Sequence, residues 1–125
     1  MSQFIEIHWT SGSIDEARKV CRFLIQERLA ACAQIIPWVE SIYMWDNKLE
    51  TAQESKIAIK TQLDCYAAVK KAIEDNCSYQ VPEITYRIID GGNEAYLKWL
   101  EESTPASARE HGEYTTKTME IDSPQ

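Results

Sequence analysis

Apolar and polar positions alternate along the chain with two different periods, and each change of period marks a structural element. In FIEIHWT (residues 4–10), Ile5, Ile7 and Trp9 fall on one side of an extended segment and Phe4, Glu6 and His8 on the other. A period of two predicts a strand with one buried face. The period lengthens after Ser13: Ile14, Ala17, Val20, Cys21 and Leu24 recur at steps of three and four, which predicts a helix running to about Leu29 with one buried stripe. Its start carries Ser13 and Glu16 at capping-box spacing, with Asp15 and Glu16 in the first turn, where carboxylates suit the positive end of the helix dipole. Ala30, Ala31 and Cys32 are small enough for close backbone packing where helix gives way to strand. A strand is then predicted over Ala33 to Trp45, with a bulge, bend or edge position at Pro37, which has no N–H to donate.

Asp46-Asn47 separates this strand from another extended run, and both residue types tolerate the positive φ of a tight hairpin turn. Past the turn, Lys48, Glu50, Glu54, Lys56 and Lys60 share one face, while Leu49, Thr51, Gln53, Ser55, Ile57 and Ile59 share the other. The run reaches about Thr61, whereas strands typically have ~5–6 residues. Its apolar signal is strong only from Ile57 onward, so residues 49–55 are peripheral to the core of a single chain. Tyr43, Met44 and Trp45, paired opposite them, are nevertheless large and costly to leave in water. The economical resolution is that the hairpin tip packs against another chain.

Asp64 is positioned to cap a second helix, with Tyr66, Val69 and Ile73 on one stripe and Ala68 and Ala72 beside it. NCSYQVPE is a loop containing Pro82, ITYRIID is a strand bounded by Gly91-Gly92, and Asn93 opens a last helix in which Leu97, Leu100, Tyr96 and Trp99 provide packing. From Thr104 the composition turns polar with almost no apolar periodicity. Residues 1–103 are thus expected to form a single domain and residues 104–125 a flexible tail that includes a solvated His111. The order β-α-β-β-α-β with a terminal helix predicts an α+β, ferredoxin-like sandwich with a long hairpin between its second and third strands. One sheet face lacks the two crossover helices, so a homo-oligomer is expected, with the hairpin arm extending a neighbour's sheet.

A chain of 125 residues, 44% of them hydrophobic, suits one domain with a sizeable core. The net charge of −7 argues against nucleic acid as a partner and would repel an anionic membrane surface. No apolar run approaches the ~20 residues of a membrane span. The opening MSQFIEIHWT has no basic stretch ahead of an apolar core, so the expected compartment is cytoplasmic. Cys21, Cys32, Cys65 and Cys77 include no C-x-x-C pair; the spacing is neither that of a zinc ribbon nor that of a disulfide framework, and reduced thiols are expected. No G-x-S-x-G, P-loop, dinucleotide fingerprint or H-E-x-x-H is present, and no enzymatic activity is expected.

Five segments stand in a characteristic order: ERLAACAQIIP (27–37), SIYMWDNKLE (41–50), IKT (59–61), YQVPEI (79–84) and YLKWL (96–100). Together they resemble the CutA divalent-cation-tolerance family over residues 4 to about 103. The resemblance implies a ferredoxin-like fold and a tight homotrimer in which the long second and third strands reach across subunits. Tyr43, Trp45 and Leu49 would then belong to a trimer interface, and Tyr79 would be an interface aromatic. It further implies a role in tolerance of divalent metals, with copper binding ascribed to some bacterial members, and no settled catalysis. The ligand positions proposed in those members, a cysteine ending the first strand and a histidine pair before Tyr-Gln-x-Pro-Glu, correspond here to Trp9, Asn76 and Cys77. Trp9 is no ligand and Asn76 a poor one; only Cys77 keeps soft-ligand character. His8 adjoins Trp9 but points to the opposite sheet face in a regular strand.

Glu83, in YQVPEI, has two readings: a cleft carboxylate contacting a cation or small ligand between subunits, or an ion pair with Lys60 or Arg87 across the interface. Cys77 and Glu83 are therefore the candidate metal residues. The leading expectation is a non-enzymatic trimer of the metal-tolerance family that holds a divalent cation, copper in particular, weakly. Another is a trimeric small-molecule sensor using clefts between subunits, as nitrogen-regulatory P-II trimers do. A purely structural trimer is the third.

Overall fold

A computed structural model describes residues 3–110, with side chains described through Ala108; the greater part of the expected tail, including His111, lies outside the described residues. The elements are β1 (Phe4–Ser11), α1 (Ile14–Gln26), β2 (Cys32–Trp45), β3 (Lys48–Gln62), α2 (Tyr66–Asn76), β4 (Ile84–Ile89), α3 (Glu94–Ser103) and α4 (Ala106–Glu110). The strands form one four-stranded sheet in the order β2-β3-β1-β4, with every neighbouring pair antiparallel. This is the ferredoxin-like arrangement.

The alternation in β1 translates directly into the core. Ile5, Ile7 and Trp9 are fully buried, facing Ile57 and Ile59 of β3 on the same side. Against them pack Ala17, Val20 and Leu24 of α1 and Val69, Ala72 and Ile73 of α2. Phe23 joins the buried stripe of α1 and widens it beyond the expected positions. Each large side chain fully withdrawn from water contributes roughly 1.5–3 kcal/mol.

Three local expectations are corrected. Ser13 does cap α1, its side chain accepting from the Glu16 N–H at 3.2 Å. The capping box is nonetheless only half formed. Glu16 accepts instead from the Ser11 hydroxyl at 2.8 Å and the Ser78 N–H at 3.0 Å, while the Ser13 N–H turns to Ser11 Oγ. The helix also stops at Gln26 rather than Leu29. Arg28 takes a left-handed φ of 57°, and the Leu29 N–H folds back onto the Leu24 carbonyl at 2.9 Å, a closure that satisfies an orphaned carbonyl. Asp64 does not cap α2: it lies inside a 3₁₀ turn, Leu63–Cys65, and the N-cap position falls on Cys65 without a side-chain bond.

The hairpin forms as its sequence dictates. Asp46 and Asn47 have φ of 51° and 64°, the left-handed pair of a type I′ turn. The β2–β3 register shifts between Ile36 and Val39, so the chain bulges at Pro37 and Trp38, and Ser55 Oγ donates to the Pro37 carbonyl at 2.9 Å. The pairing of β1 with β3 ends at Ser11 and Ser55. Beyond that point β2 and β3 continue alone as an arm.

A further latch ties the end of α3 to the sheet. The side-chain amide of Gln62 donates at 2.9 Å to both the carbonyl and the hydroxyl oxygen of Thr104, and at 3.3 Å to the Glu101 carbonyl. Thr104, the first residue of the expected tail, is fully buried, and α4 follows it. Gln62→Leu keeps the volume but leaves these buried acceptors without their donor, a loss of about 1–3 kcal/mol. A urea unfolding midpoint lowered accordingly, measured at one fixed protein concentration, is the expected result.

Candidate functional site

The loop from Cys77 to Glu83 folds back over the end of β1 and the base of the arm, and three carboxylates hold it there. Glu16 Oε1 accepts from the Ser78 N–H at 3.0 Å, and Glu54 Oε2 accepts from the Tyr79 hydroxyl at 2.8 Å. Glu83 accepts from the Thr10 hydroxyl at 2.9 Å and the Thr85 hydroxyl at 3.2 Å. Hydrogen bonds to charged acceptors are among the stronger ones. The Tyr79 ring lies against the backbone at Gly12, where a Cβ would stand 2.7 Å from the phenolic oxygen. Gly12 is thus required by the close approach rather than by its φ.

Between this loop and the arm runs a groove of about 790 Å³, whose walls include Tyr43, Trp45, Glu50, Glu54, Tyr79 and Glu83. Tyr43 stands directly across the ladder from Glu50. Leu49 pairs with Met44 and lies on the opposite face of the arm, on the side of Ile42, which also borders the groove. The expected interface residues therefore divide: Tyr43, Trp45 and Tyr79 line the groove, while Leu49 belongs to an aliphatic patch behind it. Ile42, Met44 and Leu49 are 64%, 62% and 71% exposed in the single chain, and Trp45 60%.

Cys77 and Glu83 are not brought together. Glu83 bonds to Thr10 on the helix-free side of β1, whereas the Cys77 thiol is influenced by the Trp9 indole and Glu16 on the helix side. Burial, first, and then Glu16 raise the thiol, outweighing the Tyr79 N–H and the Trp9 indole, which favour the thiolate. A thiol so placed stays protonated at neutral pH and is a reluctant metal ligand. Trp9 is fully buried, and its N–H has no hydrogen bond of ordinary geometry. The Asn76 amide is spent on the Ala72 carbonyl at 2.8 Å. Among the described residues no group of three or more His, Cys, Asp or Glu could hold a metal ion. The three positions corresponding to the bacterial ligands therefore do not fit a copper ion.

Within the chain, Glu83 makes no ion pair with Lys60 or Arg87; its oxygens bond to Thr10 and Thr85. Lys60 lies 5.8 Å from the Tyr96 ring centroid and donates to Gln34 at 3.4 Å. His8 faces away from Trp9, as alternation requires, with Nε2 2.9 Å from Glu6 Oε2. The pair does not have the geometry of a hydrogen bond. Sequence reasoning missed Glu16, Glu54 and Gly12. Their partners lie 62, 25 and 67 residues away in Ser78 and Tyr79, and no local pattern announces such contacts. No helix among the described residues is long and apolar enough to cross a membrane.

Tyr79 supplies a test of this geometry. Burial, then the Glu54 acceptor and its charge, then Tyr43 and Cys77, push its phenol from 10.0 up to about 12. A pKa raised in the folded state contributes stability that is complete below pH 10 and is lost as pH rises through about 12. Absorbance at 295 nm should therefore show one tyrosine titrating later than the rest, and Tyr79→Phe should abolish that late step. The same variant should flatten the decline in stability between pH 10 and 12.

Comparison with known proteins agrees with the fold and the motifs. The pattern of the family "CutA1 divalent ion tolerance protein" matches residues 5–103. The rice protein "Protein CutA 1, chloroplastic" is 36% identical over 103 residues, which are 82% of this chain and 58% of that protein, so the chain spans little more than half of that relative. A Thermus thermophilus protein named "Divalent-cation tolerance protein CutA" is 38% identical over 95 residues, 76% of this chain and 92% of the relative. The crystal structure of CutA1 from Oryza sativa superposes with a TM-score of 0.81 at 34% identity, covering 84% of this chain and 96% of that one. Sequence pattern, relatives and fold agree: this chain belongs to the CutA1 divalent ion tolerance protein family.

Proposed function

We propose that this chain is a non-catalytic homotrimer acting in divalent-cation tolerance, in which the arm of each subunit reaches across a neighbour. The observation that carries the reading is the arm itself. Ile42, Met44 and Leu49 form an aliphatic face, each more than 60% exposed, on a two-stranded ribbon that no other element of the described chain covers. An isolated hairpin is marginal in water, and a contiguous apolar patch of this kind marks an interaction surface. A closed trimer covers the patch three times over by symmetry. Tyr43, Trp45 and Tyr79 then wall the cleft where subunits meet.

The role in cation tolerance rests on the relatives' names. Copper held through Trp9, Asn76 and Cys77 is not part of the proposal, for the reasons of donor chemistry given above. Glu83 is the better placed of the two candidate metal residues, since it faces the groove while Cys77 is packed beneath it. The groove also favours the second reading, a sensor whose ligand sits in an inter-subunit cleft: 790 Å³ lies within the usual range for small-molecule sites.

Sedimentation equilibrium at micromolar concentration is expected to give three times the chain mass. Leu49→Asp should shift the population toward monomer while leaving far-ultraviolet circular dichroism unchanged, because it removes roughly 1.5–3 kcal/mol of burial at each of the symmetry-related contacts. A wild-type monomer, or a variant that sediments like wild type, would refute the role assigned to the arm.

A further inference from the structure

We infer that the groove takes a linear organic polycation, an aliphatic amine bearing two or more ammonium groups; this rests on the reading of the groove as a ligand cleft. Its charged lining is of one sign. Glu50, Glu54 and Glu83 are present, and among the described residues no Lys, Arg or His lines it. The net charge of −7 reinforces the preference, drawing cations toward the protein and turning phosphates away.

The arrangement of the carboxylates selects the kind of cation. Glu50 and Glu54 lie on the same face of β3, so their positions along the strand differ by about 14 Å at ~3.4 Å per residue. No group of three or more acidic, His or Cys residues converges as a metal site among the described residues. A point charge seated against one of Glu50 and Glu54 lies far from the other, whereas ammonium groups separated by methylene segments can meet both. The walls suit those segments. Tyr43 and Trp45, 43% and 60% exposed, stand on the groove face of the arm, and Tyr79 stands across from them. Aromatic faces accept methylenes and attract ammonium groups.

The site is also partly preorganised. Tyr79 orients Glu54, and Thr10 and Thr85 orient Glu83. An ionised carboxylate that accepts one or two hydrogen bonds keeps capacity for an ammonium donor. Lys48 and Lys56 share this face of β3 beyond the two glutamates, outside the lining.

Spermidine, a linear triamine, is the probe, titrated calorimetrically into the full-length chain at low salt. Saturable binding of one molecule per chain is expected, weakened roughly tenfold by Glu50→Gln, the loss of one charged contact worth about 1.4 kcal/mol, and unchanged by Glu102→Gln on the exposed side of α3. Absence of saturable binding would overturn the inference. So would equal affinity in Glu50→Gln, or displacement by magnesium as effective as displacement by the amine. Sedimentation of the same samples separates the two readings. A trimer that ignores spermidine removes this inference and leaves the proposed assembly intact; a monomer that binds it with the Glu50 dependence removes the assembly alone.

Discussion

The structure depends on a mismatch of strand lengths. β2 and β3 run for 14 and 15 residues, but β1, which anchors β3 in the sheet, has only 8. Where β1 stops, the helices stop covering the sheet as well, and the ribbon beyond Ser55 keeps its backbone hydrogen bonds while losing its core. Ser55, Ile57, Ile59 and Thr61 are buried on the same face that leaves Leu49 exposed. One strand therefore passes from core to surface without a change of period, and only the side chains register the transition. Among the described residues nothing covers the far end, and the groove lies where the arm projects past the sheet.

The loop after α2 exploits that projection. It is tied to three elements: Ser78 and Tyr79 donate to Glu16 on α1 and Glu54 on β3, and its own Glu83 accepts from Thr10 on β1. Each glutamate is a charged acceptor meeting a neutral donor, so the loop is secured without an ion pair. Glu54 and Glu83 also line the groove. Glu16 shows the local cost of this arrangement: the carboxylate that would have completed the capping box of α1 is directed at the loop instead.

Around Trp9 the chain offers packing rather than coordination chemistry. A buried indole, an amide bonded to its own helix and a thiol raised by burial occupy the positions where bacterial relatives are proposed to hold metal. Such a trio stabilises the junction of β1 with the loop through burial, and it presents no donor set to a soft cation. On the other face of β1, Thr10 orients the Glu83 carboxylate toward the groove. The alternation of Trp9 and Thr10 across the pleat separates the two environments by one residue in sequence and one sheet face in space.

Much of this was legible in the chain alone. The periods of two and three to four residues located β1, α1, the hairpin and the later elements, because burial on one face is a local constraint repeated along each element. The Asp46-Asn47 turn and the bulge at Pro37 followed from backbone chemistry, positive φ in one case and a missing N–H in the other. The exposed apolar arm could be anticipated because large side chains stood opposite a polar run. What only the tertiary structure decided is which distant groups meet. Glu16 was legible as a cap and became a loop anchor; Glu54 looked like one charge on a solvated face and proved to orient Tyr79. Cys77 and Glu83, the two candidate metal residues, fell on opposite sides of the sheet. Hydrogen bonds spanning 25 to 73 residues depend on how elements dock, and docking is set by the whole core at once rather than by any segment's own pattern.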